Sequence, residues 1–92
     1  MIRSFGERQS EALFRDEFVS KFQGVARRAK RKLDALNAAS RIEDLNVPPS
    51  NRLEKLSGDL KEFYSIRVND QWRVIFKWSA GEAREVRIVD YH

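Results

Sequence analysis

The segment Trp72 to Trp78 alternates: Trp72, Val74, Phe76 and Trp78 point one way, with Arg73, Ile75 and Lys77 between them. Successive residues of a strand face opposite sides of a sheet, so this segment lays one wall of an apolar core. Phe63 to Val68 repeats the pattern, with Tyr64, Ile66 and Val68 on one side and Ser65 and Arg67 on the other. Directly opposed residues of an antiparallel pair share a face, and a one-residue slip exchanges the faces. A two-residue turn at Asn69-Asp70 opposes Ile66 to Arg73 and mixes them. A three-residue loop, Asn69-Asp70-Gln71, opposes Val68 to Trp72, Ile66 to Val74 and Tyr64 to Phe76, and is the connection expected here. It also sets Arg67 opposite Arg73, away from the apolar wall. Opposed like charges are destabilising. They are tolerated where an anion visits, or where both guanidinium groups splay into water, and the sequence leaves both readings open.

The remaining chain is organised around this hairpin. Ile2 to Phe5 reads as a short strand, and Ser10 as the cap of a short helix through Leu13 and Phe14 toward Phe18. Phe22, Val25, Ala26, Ala29, Leu33 and Leu36 recur at three- and four-residue spacing, which predicts a helix over 23–39. Its outer face carries Arg27, Arg28, Lys30, Arg31 and Lys32. Residues 40–50 form a connector in which Ser40 caps one turn through Ile42 and Leu45, and Pro48-Pro49 forces extended chain. Strands follow over 51–56, 63–68, 72–78 and 85–91, with turns at Ser57-Gly58-Asp59 and Ala80-Gly81. The expected architecture is a single α+β domain over 1–92: two N-terminal helices packed on one face of a four- to five-stranded antiparallel sheet. Ile2–Phe5 supplies the fifth strand, and the other face is left open and basic.

Composition narrows the function classes. At 92 residues and 41% hydrophobic content the chain can bury one thin core. It has no cysteine, which removes disulfides, thiolate nucleophiles and cysteine zinc sites together. No cofactor motif and no metal-ligand cluster stands out. No apolar run is long enough to cross a membrane, and Met1 to Ser10 lacks the apolar core of a signal peptide, so a soluble cytoplasmic protein is expected. The net charge of +4 and a pI near 9.8 favour an anionic partner such as nucleic acid, ribosome or an acidic protein.

Four stretches carry a resemblance: Met1-Ile2-Arg3-Ser4-Phe5, Asn51-Arg52-Leu53-Glu54, the run from Ser65 through Arg67-Val68-Asn69-Asp70-Gln71-Trp72-Arg73, and the ending Val89-Asp90-Tyr91-His92. Together they resemble the HigB toxins, or plasmid maintenance killer proteins, of the RelE/ParE superfamily, along the whole chain. The resemblance implies the RelE-like toxin fold and cleavage of messenger RNA in the ribosomal A site. It implies a small helix-turn-helix antitoxin of the HigA kind as partner, and contact with operator DNA only through that antitoxin. ParE-like relatives share the fold and act on DNA gyrase without cutting nucleic acid. A basic module that binds RNA or the ribosome and cuts nothing is a third reading.

Metal-independent RNA cleavage needs a base for the 2′-OH, an acid for the 5′ oxygen, a cation for the phosphorane and a support for the bases. His92, the lone histidine, titrates near neutrality and is the natural acid or base. With the resemblance, Tyr91 is a candidate phosphate donor, acid or stacking ring, and Asp90 a candidate orienting group. Arg73 is the candidate phosphate clamp, since guanidinium matches phosphate bidentately, and Arg67 its companion. Arg27, Arg28 and Arg31 are candidate contacts to ribosomal RNA, against the plainer reading of a solvated helix face. The family's best-known pattern has histidine and lysine where this chain has Glu54 and Ser57. Glu54 is the remaining candidate base if its pKa is raised. Lys55 is a candidate RNA contact, but it lies on the opposite face of its strand from Glu54. The departure implies a slower nuclease than the family's strongest members.

Overall fold

The computed structural model describes residues 1–91 and consists of a four-stranded sheet with two helices across one face. The strands are β1 (Glu54–Lys55), β2 (Phe63–Arg67), β3 (Trp72–Ser79) and β4 (Glu82–Asp90), antiparallel and in that spatial order. The helices are α1 (Arg8–Phe14) and α2 (Ala26–Ala38). Ile66 opposes Val74, Tyr64 opposes Phe76 and Arg67 opposes Arg73, as the alternation requires. Asn69-Asp70-Gln71 is the connecting loop. Asn69 closes it, its side-chain oxygen accepting the N–H groups of Gln71 at 2.9 Å and Trp72 at 2.8 Å.

The core lies between the helices and the wall formed by Ile66, Val68, Trp72, Val74, Phe76, Ala83, Val86 and Ile88. Phe22, Val25, Ala29, Leu33 and Leu36 supply the opposing side, and Phe22 meets Trp72 edge-on at 5.4 Å. α2 is shorter than its apolar stripe. Gly24, at φ 89°, breaks the chain ahead of it, so Phe22 and Val25 reach the core from the preceding turn.

Several local expectations are corrected. α1 is capped by Glu7, not Ser10: its carboxylate accepts the N–H groups of Gln9 at 2.7 Å and Ser10 at 2.9 Å. Ser10 is instead buried within the first turn. Its hydroxyl donates to Glu7 at 2.6 Å and accepts the Ile88 N–H at 2.9 Å, which ties α1 to β4. α1 ends at Phe14, and Phe18 lies beyond it, 79% exposed. Ser40 does not cap the next turn; Asp44 reaches back to the N–H groups of Ser40 and Arg41. Pro49 opens a short turn through Asn51 rather than extended chain, which its missing N–H permits at a first helical position. Buried Asn51 there donates to the Leu45 carbonyl at 3.1 Å and the Val47 carbonyl at 3.3 Å. β1 therefore shrinks from the expected 51–56 to two residues.

The far edge also differs. Met1 to Gly6 pairs with β4 through bridges at Ile2–Ala83 and Phe5–Val86, but these are parallel, not antiparallel. β4 begins at Glu82, after an Ala80-Gly81 turn with both residues at positive φ, the twist that matches a tight hairpin. Between Ile75 and Lys77 the register shifts. Glu85, at φ 52°, is bulged, and the Ser4 hydroxyl accepts its N–H at 3.0 Å. The face away from the helices is also less open than expected, since Phe63, Ser65 and Ile75 are buried on it. The cations of Lys77 and Arg87 sit 5.5 and 6.0 Å from the Phe63 ring, above that small apolar layer. Among the described residues no helix is long and apolar enough to cross a membrane.

Ser10→Ala is expected to lower stability by about 1–3 kcal/mol, because it strands the buried Ile88 N–H; the midpoint of chemical denaturation reads this. Glu7 gives a pH signature. Burial raises its pKa, but hydrogen bonds from the Ser10 hydroxyl and the Gln9 and Ser10 backbone outweigh this and hold it below the ordinary carboxylate value. Its contribution is therefore complete above that ordinary value and lost as the pH falls through the lowered one. Glu7→Gln should show a smaller loss of stability on acidification than the parent chain.

Candidate functional site

The register that builds the core also builds a polar cluster on the opposite face. Glu54 of β1 pairs with Ser65 of β2, so their side chains share that face, and Arg73 of β3 lies diagonally beside Ser65. The guanidinium of Arg73 donates through Nη1 to the Glu54 carboxylate at 2.8 Å and to the Ser65 hydroxyl at 3.2 Å. Its central carbon lies 4.7 Å from the Tyr91 ring, just beyond β4, in a cation–π contact. Only 12% of the Arg73 side chain is exposed, against 50% of Glu54. Arg73 is thus oriented from both sides of β3 at once, and the carboxylate and ring flank it on the solvent side.

Three residues far apart in the sequence therefore meet: Glu54, Arg73 and Tyr91. Asp90, next to Tyr91 in the chain, opposes Trp72 and so lies on the helix side of the sheet, where the Gln71 side-chain amide donates to its carboxylate at 3.1 Å. The Tyr91 N–H donates to the Gln71 carbonyl at 2.6 Å, so one loop residue holds both positions. His92 lies outside the described residues. Arg67 opposes Arg73, but its guanidinium is ion-paired with Asp70 across the loop. The opposition of like charges is met inside the chain, each arginine carrying its own carboxylate. Lys55 is not part of the cluster. It points to the helix side, where its ammonium donates to the Lys61 carbonyl and lies 5.1 Å from the Tyr64 ring.

Sequence reasoning missed Ser65 and Gln71. Both were within reach of the deduced register, Ser65 as the polar residue sharing a face with Arg67 and Arg73, Gln71 as the loop residue beside the end of β4. Among the described residues no group of three His, Cys, Asp or Glu could hold a metal ion.

A second basic surface differs in kind. Arg27, Arg28 and Arg31 on α2 are exposed and, among the described residues, carry no ion pair or side-chain hydrogen bond. Arg28, Arg31 and Lys32 line a shallow depression of about 200 Å³ with Val68. Burial lowers the pKa of Lys32, whose ammonium donates to Asn51. Arg27 and Arg31 also edge a groove of about 490 Å³ floored by Leu13, Phe18 and Ala26. Lys30, in the same run, is occupied by Asp16, Asp34 and the Phe14 carbonyl. The uncommitted guanidinium charge of α2 thus contrasts with the paired arginines of the sheet.

A family model for the RelE-like toxin HigB of type II toxin–antitoxin systems matches residues 3–92. The chain is similar to Endoribonuclease HigB of Proteus vulgaris, at 32% identity over an alignment covering all of both chains. It is 55% identical over 53 residues to Toxin HigB-1 of Vibrio cholerae, an alignment spanning 58% of this chain and 56% of that one. Among solved structures it is similar to a YoeB–YefM complex from Staphylococcus aureus, with a TM-score of 0.58 and 18% identity over all of this chain and 98% of the other, a likeness of fold.

The charge contrast makes a measurable difference. The combined Arg27→Gln, Arg28→Gln and Arg31→Gln variant should reduce the slope of log affinity against log salt for single-stranded RNA by about two, at about 0.7 per lost phosphate contact. Arg67→Gln, at a charge already answered by Asp70, should change that slope by less than one contact. Equal slopes in the two variants would show that the helix face does not meet RNA.

Proposed function

The chain belongs to the RelE-like HigB toxins of type II toxin–antitoxin systems, and on that premise we propose that it is an endoribonuclease that cleaves messenger RNA on the ribosome. The observation that carries this is the meeting of Arg73, Glu54 and Tyr91 on one sheet face. The chemistry proposed is attack of a ribose 2′-OH on the adjacent phosphate, leaving a 2′,3′-cyclic phosphate and a 5′-OH. Arg73 grips the phosphate and stabilises the charge that develops on it, a role its rigid fork suits better than an ammonium does. The Tyr91 ring lies beside it and supports a base, or its hydroxyl donates to a phosphate oxygen. His92 supplies the acid or base that titrates near neutrality, and Asp90 orients its neighbours. Glu54 is near enough to take a 2′-OH proton once its contact with Arg73 loosens. Such a site needs no metal ion, because guanidinium and proton-transfer groups cover each charge that forms.

Arg27, Arg28 and Arg31 fit a second task, gripping ribosomal RNA phosphates while the sheet face engages the message. The partner proposed is a HigA-like helix-turn-helix antitoxin, through which the pair reaches operator DNA, and the setting is the cytoplasm. The relatives support this reading: one is named an endoribonuclease, and the solved neighbours are toxin–antitoxin complexes.

The test is induced expression of the parent chain, Arg73→Ala and His92→Ala in a bacterium, with 5′-end mapping of a translated reporter. The expected result is cuts within codons that require translation and fall by roughly a hundredfold or more in both variants. Growth arrest with intact messages would overturn the reading and move the case to a gyrase poison or a ribosome binder that does not cut.

A further inference from the structure

The guanidinium proposed to grip phosphate is not waiting empty. Glu54 already occupies it, in a charge-assisted hydrogen bond of 2.8 Å from Arg73 Nη1. Ser65 accepts from the same nitrogen at 3.2 Å, and the Tyr91 ring lies against the guanidinium. With 12% of the Arg73 side chain exposed, the approach from solvent runs past the Glu54 carboxylate, which is half exposed at the sheet edge. A phosphodiester and a carboxylate make the same demand on an arginine: two oxygens sharing a negative charge. Both cannot have the same donors. Glu54 sits on a two-residue edge strand, the least supported strand of the sheet, while Arg73 is on the inner strand β3, so Glu54 can swing out without disturbing the core.

We propose that Glu54 is a resident anion in the phosphate position of Arg73, and that it sets the substrate specificity of the site by excluding free RNA. A loose strand must exchange its phosphate for the carboxylate at the guanidinium and then bear the repulsion of that carboxylate nearby. Its encounter is bimolecular and brief. A message held in place by a larger assembly meets the site at high effective concentration and makes the exchange within one complex. Glu54 thus sets a threshold: it weakens every phosphate ligand by a similar factor, and only a ligand held at high effective concentration by further contacts still occupies the site. A neutral residue at this position leaves Arg73 held by Ser65 and Tyr91 and open to any phosphodiester. This inference rests on Arg73 as the phosphate contact. It is read on the isolated protein, so it stands or falls separately from ribosome dependence.

The experiment is a binding titration of the full chain with a fluorescent, fully 2′-O-methylated oligoribonucleotide, which cannot be cleaved. It compares the parent chain with Glu54→Gln and Glu54→Ala at one fixed low salt concentration. Glu54→Gln keeps the shape and an oxygen acceptor while removing the charge. Both variants are expected to bind roughly tenfold more tightly, the effect of freeing one charge-assisted hydrogen bond for the phosphate. The tighter binding is expected to vanish when Arg73→Met is added to either. Unchanged affinity in both single variants would overturn the proposal and leave the ion pair as a support for the edge strand. Tighter binding that persists with Arg73→Met would also overturn it, by showing a general effect of net charge. Thermal melts of the same proteins confirm that each is folded at the binding temperature.

Discussion

The side-chain oxygen of Asn69 accepts two backbone N–H groups, and the polar cluster of the sheet follows from the loop this closes. Three residues in that loop, rather than two, put β2 and β3 in phase. In that phase Ile66, Val74, Tyr64 and Phe76 share the helix side, and Ser65, Arg67 and Arg73 share the other. One residue fewer would turn Arg73 into the apolar wall. The pairing of β1 carries the same phase outward to Glu54, and Gln71 in the same loop holds the end of β4 with Asp90 and Tyr91. Core and site are therefore two consequences of one register, and a side chain in a surface loop maintains both.

Charge is distributed by the same logic. On the sheet the arginines are answered by nearby carboxylates: Arg73 by Glu54, Arg67 by Asp70, with Lys77 tied to the bulged Glu85 at 2.9 Å. On α2 three arginines are answered by no carboxylate among the described residues. Long-range attraction to a polyanion depends on uncommitted charge, whereas short-range recognition depends on aligned donors. The helix face is suited to the first task and the sheet face to the second. The positive opposition of Arg67 and Arg73, for which the sequence left a visiting anion and solvation both open, is met by anions the chain supplies itself.

The parts of this structure that could be read in the sequence are those set by periodicity. Trp72 to Trp78 can bury its large residues in one phase only, so the hairpin register, the face carrying Arg73 and the side occupied by the helices all followed. The parts that could not be read depend on competition among equivalent local groups. Glu7 and Ser10 both precede or open a first turn, and only the distant N–H of Ile88 decides that the serine is needed elsewhere. Asp44 displaces Ser40 as a cap in the same way. The bulge at Glu85 and the shortness of β1 arise from the N-terminal segment and from Asn51, contacts far along the chain or through a turn. At the candidate site, the face carrying Arg73 was legible from the register, and Tyr91 only through the resemblance. The bond between Arg73 and Glu54 was not, because nothing in a sequence says how far across a sheet a long side chain leans.

Ile2, Phe5 and Ser10 take their partners from residues 83 to 88, near the opposite end of the chain. The helices and the β2–β3 hairpin close through local contacts, whereas these contacts join residues 78 to 81 positions apart. Until β4 is in place, the segment from Met1 to Gly6 has no edge to pair with, the hydroxyl of Ser10 has no N–H to hold, and Tyr91 is not there to face Arg73. Closing so long a loop is entropically costly and slow compared with forming the local hairpin. The long-range closure therefore separates assembly of the local hairpin from completion of the sheet edge and of the cluster around Arg73.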